Sequence, residues 1–298
     1  MSIITLLLPD FALIAVGFVL RRRAAFSDEF WTCLEKLVYF VLFPALLFKA
    51  LAQTRIEPAS AATLISGGMA AIATGMGLML VAKHLFRLQP ITLASAFQCG
   101  FRFNSYIGFA ILGRLHAEAG IAAMAVMQSV MIPLVNVAAI WALARHAQGG
   151  IARELVRNPL IIATAAGVLY SVSGLPLHEI AGETLARLAQ AALPLGLIAV
   201  GASIRPDNTD GAQGFIVYVT TIKLLAVPLV AWLVAEALGL DGTYRSAAIV
   251  FAALPASPTS FILAARMGGD GKLVARILAM QIMAAAFTLP LWLYVIGL

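Results

Sequence analysis

Apolar residues run along this chain in blocks separated by short polar joints. A helix needs about 20 mostly apolar residues to cross a hydrocarbon core of about 30 Å. The pattern predicts ten such helices. The first half holds Ile3–Leu20, Thr32–Leu51, Ala61–Leu85, Ile91–Gly113 and Ala119–Ala144. The second holds Pro159–Gly174, Leu185–Ile204, Gln213–Leu238, Tyr244–Met267 and Lys272–Ile296. The sizeable joints are Arg145–Asn158 and Arg205–Ala212, and neither has room for a soluble domain. The first contains Gly149, Gly150 and three arginines and reads as a seam between halves.

Composition makes lipid the solvent. Of 298 residues, 62% are hydrophobic and 11% charged, and the mean hydropathy is +0.96. Soluble domains carry about 25% charged residues. A cytosolic enzyme, a secreted domain and a nucleic-acid binder are therefore excluded as readings of the whole chain, which is predicted to be an all-α polytopic membrane protein. The net charge of +6 comes from basic residues scattered between apolar blocks, the pattern of a topology signal. Among the 20 Lys and Arg residues, Lys49, Arg55, Arg114, Arg187 and Arg245 fall on one side, and Arg102 and Lys223 lie inside spans. The rest fall on the other side, which the positive-inside bias makes cytoplasmic, so both termini are expected outside. Arg21, Arg22 and Arg23 follow the first apolar run rather than precede it, so that run is expected to persist as a helix. Cys33 and Cys99 lie in apolar stretches without metal-ligand spacing.

The halves echo each other. Pro9 and Gly17 match Pro159 and Gly167, and Pro44 matches Pro194, at one common offset; Met127-Gln128 recurs as Met280-Gln281. Two repeats are expected, residues 1–148 and 155–298. Five spans is an odd number, so the second repeat inserts upside down, the architecture of many secondary transporters.

Corresponding spans four and nine are interrupted, by Arg102-Phe103-Asn104-Ser105-Tyr106-Ile107-Gly108 and by Leu254-Pro255-Ala256-Ser257-Pro258-Thr259-Ser260. Two prolines three apart remove backbone donors and should unwind a turn. Irregular backbone at membrane depth survives only inside protein or along a watery cavity, so the two breaks are expected to cross. A half-helix N-terminus there would suit an anion. Arg102, beside the first break, would supply positive potential, and Lys223 would either share that role or satisfy backbone carbonyls. Asp10, Glu35, Glu118, Glu236, Asp241 and Asp270 fall near predicted span ends, which fits a carrier whose substrate brings its own negative charge. Amides offer neutral ligands at Asn104, Gln128, Asn136, Gln190 and Gln281, although buried amides also tie helices together.

These residues resemble a known family. Arg157-Asn158-Pro159-Leu160 with Ala166-Gly167 and Gly174-Leu175-Pro176-Leu177 is similar to the sixth-helix entry of the auxin efflux carrier family. The fourth-span run resembles the motif of its bacterial members. Leu193-Pro194-Leu195 with Gly201-Ala202-Ser203, and Pro255-Ala256-Ser257-Pro258 with Ala264-Ala265, resemble its seventh and ninth helices. The resemblance implies ten helices in two inverted repeats, with crossing broken helices four and nine. It implies transport helices 3–5 and 8–10 that move against scaffold helices 1, 2, 6 and 7, a homodimer, and carboxylate substrates such as malonate or malate in bacteria. The short seam, and Ser257, Pro258 and Thr259 where plant members carry a proline-asparagine pair, point to the bacterial type in a cytoplasmic membrane.

The expectation is therefore an alternating-access carrier of a small organic anion, with no cofactor, metal, enzymatic activity or nucleic-acid partner. Its binding residues would be Arg102, Asn104, Ser105, Tyr106, Gln128, Pro255, Ser257, Pro258, Thr259 and Ser260, with a charge or coupling role for Lys223 and Gln281. A passive channel, or a carrier of a non-anionic solute, could share this fold.

Overall fold

The computed structural model describes residues 3–23, 26–53, 58–86, 88–143, 159–175, 177–204 and 212–297, and helix is the regular structure among them. The seam Arg145–Asn158, Arg55, Arg87 and most of the joint Arg205–Ala212 lie outside the described residues. Helix is present in each of the ten predicted segments. The elements are α1 (Ile3–Arg23), α2 (Asp28–Leu37), α3 (Phe43–Gln53), α4 (Pro58–Leu85), α5 (Pro90–Phe97) and α6 (Ser105–Leu143). They continue as α7 (Pro159–Ser173), α8 (Glu179–Ser203), α9 (Gln213–Thr221), α10 (Val227–Ala237), α11 (Gly242–Ala253), α12 (Thr259–Arg266) and α13 (Gly271–Val295). Among the described residues, five stretches are long and apolar enough to cross a membrane: Ala61–Leu85, Pro90–Leu143, Glu179–Ser203, Gln213–Ala237 and Gly271–Val295. The protein is thus a helical, polytopic membrane protein.

Proline accompanies two of the local irregularities. π-Helical turns at Val38–Leu42 and Ile222–Ala226 join α2 to α3 and α9 to α10, just before Pro44 and Pro228. A proline cannot donate to the carbonyl four residues back, and a widened turn absorbs the gap. The carbonyl that Pro228 leaves open, on Leu224, instead accepts from the Trp292 indole N–H at 2.8 Å. The predicted joint between spans four and five is a corner inside α6, where His116 (φ −135°) and Ala117 (φ 49°) leave the helical region.

The chain divides into two compact units. The first comprises Met1–Ala61, Tyr106–Ser129 and Gly150–Ser203. In it α1 packs on α8 and α3 packs on α7. Glycines let the first pair approach backbone to backbone, as small residues do between membrane helices. A Cβ on Gly201 would lie 1.8 Å from the Ile14 carbonyl oxygen, and one on Gly17 would lie 2.0 Å from that of Ile198. Rigid backbone cannot yield as a side chain can, so Gly201→Ala should cost about 1–3 kcal/mol or force the pair apart. The expected result is a lower unfolding midpoint for the purified variant, and an unchanged midpoint would refute the close approach. Asp10 falls in the middle of the first predicted span rather than near its end. It is buried, and the Arg114 guanidinium, from the first half of α6, neutralises it in a two-pronged fork, both bonds at 2.8 Å.

The second unit comprises Ala62–Ser105, Val130–Gly149 and Ile204–Leu298. Within it α13 packs against α5, α9, α11 and α12. The chain between α12 and α13 is stitched to α5, because the Ser95 hydroxyl accepts the Asp270 N–H at 2.8 Å. The Asp270 carboxylate in turn caps α13 through the Leu273 N–H at 3.0 Å.

Candidate functional site

Both interruptions fall in the second unit. The second lies where the prolines put it. α11 ends at Ala253, and Leu254 is extended (ψ 141°), the conformation a following proline imposes. The chain stays irregular through Pro258. The first break sits earlier than expected. A 3₁₀ turn over Gln98–Gly100 ends α5, Phe101 leaves the helical region, and α6 begins at Ser105. Tyr106, Ile107 and Gly108 are therefore helical rather than unwound. No proline sets this break. The Gln98 side chain turns inward, donating to the Ser95 and Ser260 carbonyls at 3.2 and 3.0 Å. Gly100 meanwhile passes so close to Gly75 that a Cβ on Gly75 would lie 2.2 Å from the Gly100 carbonyl oxygen.

The two breaks meet. The Asn104 N–H donates to the Pro255 carbonyl at 2.8 Å, and the Phe103 and Phe251 rings lie 4.4 Å apart. Unwinding at Pro255 separates the Ala252 carbonyl from the Ala256 N–H, partners in an unbroken helix. Each half finds a side chain. The Ala256 N–H donates to Gln281 Oε1 at 2.8 Å, and the Ala252 carbonyl accepts from Lys223 Nζ at 2.6 Å. Gln281 also serves the first break, its Nε2 donating to the Cys99 carbonyl at 3.1 Å. One amide from α13 thus holds backbone in both interruptions, and Lys223 caps the C-terminus of α11.

Both basic residues predicted inside spans are buried, Arg102 at 8% exposure and Lys223 at 2%. Arg102 does not reach for the surface. Its guanidinium donates to Gln98 Oε1 at 2.9 Å and to Asn136 Oδ1 at 2.7 Å. Gln98 is not among the expected site residues; its spacing from Arg102 would mark a pair only on a continuous helix, and the chain leaves the helix at Phe101.

The N–H groups expected to be open at the start of α12 are occupied. Thr259 N–H donates to the Ser257 hydroxyl at 3.3 Å. The Ser260 and Phe261 N–H groups donate to the Ser257 and Pro258 carbonyls at 2.9 and 3.1 Å. The Thr259 hydroxyl also donates to the Ser257 hydroxyl at 2.9 Å. Two prolines so close fold the strand into a turn that caps the following helix, and a ligand there would have to displace those bonds. Asn104 and Ser260 are fully buried, Ser105, Ser257 and Pro258 half-buried, and Thr259 exposed. Arg102, Asn104, Ser105, Lys223, Pro255, Ser257, Pro258, Thr259, Ser260 and Gln281 belong to the second unit. Tyr106 and Gln128 belong to the first. Tyr106 packs its ring 4.8 Å from Phe43. Gln128, 3% exposed, keeps both amide atoms without a partner among the described residues.

Residues 143–293, just over half of the chain, match the sequence profile of a family described as "Membrane transport protein". The chain is 27% identical to a protein of Rhizobium meliloti (strain 1021) named "Putative malonate transporter", over 88% of this chain and 86% of that one. It is 24% identical to an "Uncharacterized transporter" of Methanothermobacter thermautotrophicus over 94% of each chain. It is 21% identical to the "Uncharacterized transporter YfdV" of Escherichia coli (strain K12) over 97% of this chain and 96% of that one. The match and the helical membrane architecture agree: the chain belongs to the membrane transport protein family, that of the auxin efflux carriers, and is a transporter rather than an enzyme.

Proposed function

We propose that this transporter moves a small organic anion, a carboxylate such as malonate or malate, across a bacterial cytoplasmic membrane by alternating access. The fold in this reading has ten spans in two inverted repeats, residues 1–148 and 155–298, with both termini outside. Helices 3–5 and 8–10 carry substrate past helices 1, 2, 6 and 7, and the assembly is a homodimer. The reciprocal packing of α1 on α8 and α3 on α7 supports the repeat, since it pairs span one with seven and span two with six.

The observation that carries the function is the meeting of the two breaks. Interrupted backbone, the Asn104 amide and the buried cations Arg102 and Lys223 gather in one unit. Such a cluster is costly at membrane depth even with its partners, and intramembrane cations by default point to a functional site. The relative named for malonate supports a dicarboxylate as the first acid to try. Purified protein in liposomes on a capacitive electrode should give a saturable current with malonate or malate. The current should persist without a proton or sodium gradient and show counterflow. Unsaturable flux without counterflow would indicate a channel, and silence for every carboxylate would refute an anion substrate.

A further inference from the structure

We infer that Lys223 selects the valence of the transported anion, favouring a dianion over a monoanion. The inference rests on the crossing being the anion site. Lys223 is 2% exposed, and its Nζ donates to the Ala252 carbonyl, its one acceptor among the described residues. No carboxylate pairs with it among the described residues. The C-terminus of a helix carries about half a negative charge, so an ammonium on the last turn of α11 more than cancels it and leaves net positive potential. A neutral donor would suffice to satisfy the Ala252 carbonyl. Burial works against a charge there and the negative end of α11 works for it, and the charged amine is the form that meets the anion.

The placement tells what the charge can act on. Ala252 lies three residues before Pro255, at most about 11 Å of extended chain, and the Pro255 carbonyl is the atom that holds Asn104 of the other break. At about 10 Å and an effective dielectric of about 20, two unit charges interact by an amount worth about tenfold in an equilibrium constant. A dianion feels that attraction twice, so the lysine discriminates between two acids of one skeleton that differ by one charge.

The test compares uptake of malonate with uptake of monomethyl malonate by the full-length protein in liposomes, in wild type, Lys223→Gln, Lys223→Met and Lys223→Arg. Gln retains a donor for Ala252 without the charge, and Arg retains the charge. The expected result is that the ratio of kcat/KM for malonate to that for the monoester falls about tenfold in the Gln and Met variants and stays near wild type in Arg. Equal losses for both acids would make Lys223 a structural cap and overturn the inference. So would neutral variants that cannot be purified folded, because Gln281 and the Asn104–Pro255 bond hold the crossing without it. A wild type that carries neither acid, nor malate nor any other carboxylate, would refute the anion reading itself, which separates that failure from this one.

Discussion

Gln281→Leu is expected to lower the unfolding midpoint of the purified protein by about 5–15 °C and to depress transport with it. The leucine side chain is apolar and of comparable bulk, and it leaves the Ala256 N–H and the Cys99 carbonyl unpaired. Each buried, unsatisfied backbone group costs about 1–3 kcal/mol, and no water stands ready in a membrane interior to replace the amide. Both losses fall on the crossing at once, because one side chain serves both breaks. Gln281→Glu should be milder, since a carboxyl buried there stays protonated, its carbonyl oxygen accepting the Ala256 N–H and its O–H donating to the Cys99 carbonyl. Thermal unfolding in detergent checks this, and a midpoint within 1 °C of wild type would mean that the interrupted backbones find other partners.

What could be read from the sequence followed from local chemistry. Pro255 and Pro258 remove backbone donors wherever they stand, so the second break lies where the prolines predict it. The first break has no proline and depends on the inward turn of Gln98 and the approach of Gly100 to Gly75, contacts made by distant chain. The expected run therefore overlaps the break at Arg102, Phe103 and Asn104 and continues into residues that are helical. A backbone carbonyl is one of the two partners the sequence offers Lys223, but which carbonyl is hidden, because that of Ala252 becomes an acceptor only once the helix has opened. Met127-Gln128 and Met280-Gln281 look alike as dipeptides, yet Gln281 uses both ends of its amide and Gln128 meets no partner among the described residues. Sequence symmetry fixes the residue type and leaves its surroundings open. Asp10 and Arg114 stand 104 residues apart and form their fork only through tertiary packing.

Asn104→Ala carries the other large effect. The bond that joins the breaks uses the Asn104 backbone N–H, which alanine retains. The substitution therefore removes a fully buried amide from the crossing while leaving the crossing itself in place. A hydrogen bond to a charged group is worth about 1.5–3 kcal/mol, so losing one to a bound carboxylate should reduce transport by about 10–100-fold. The decisive measurement is malonate uptake into liposomes by Asn104→Ala beside wild type, with the unfolding midpoints of both. Uptake that falls by that factor while the midpoint stays within a few degrees is the predicted result, and wild-type uptake by the variant would contradict a substrate site at the crossing.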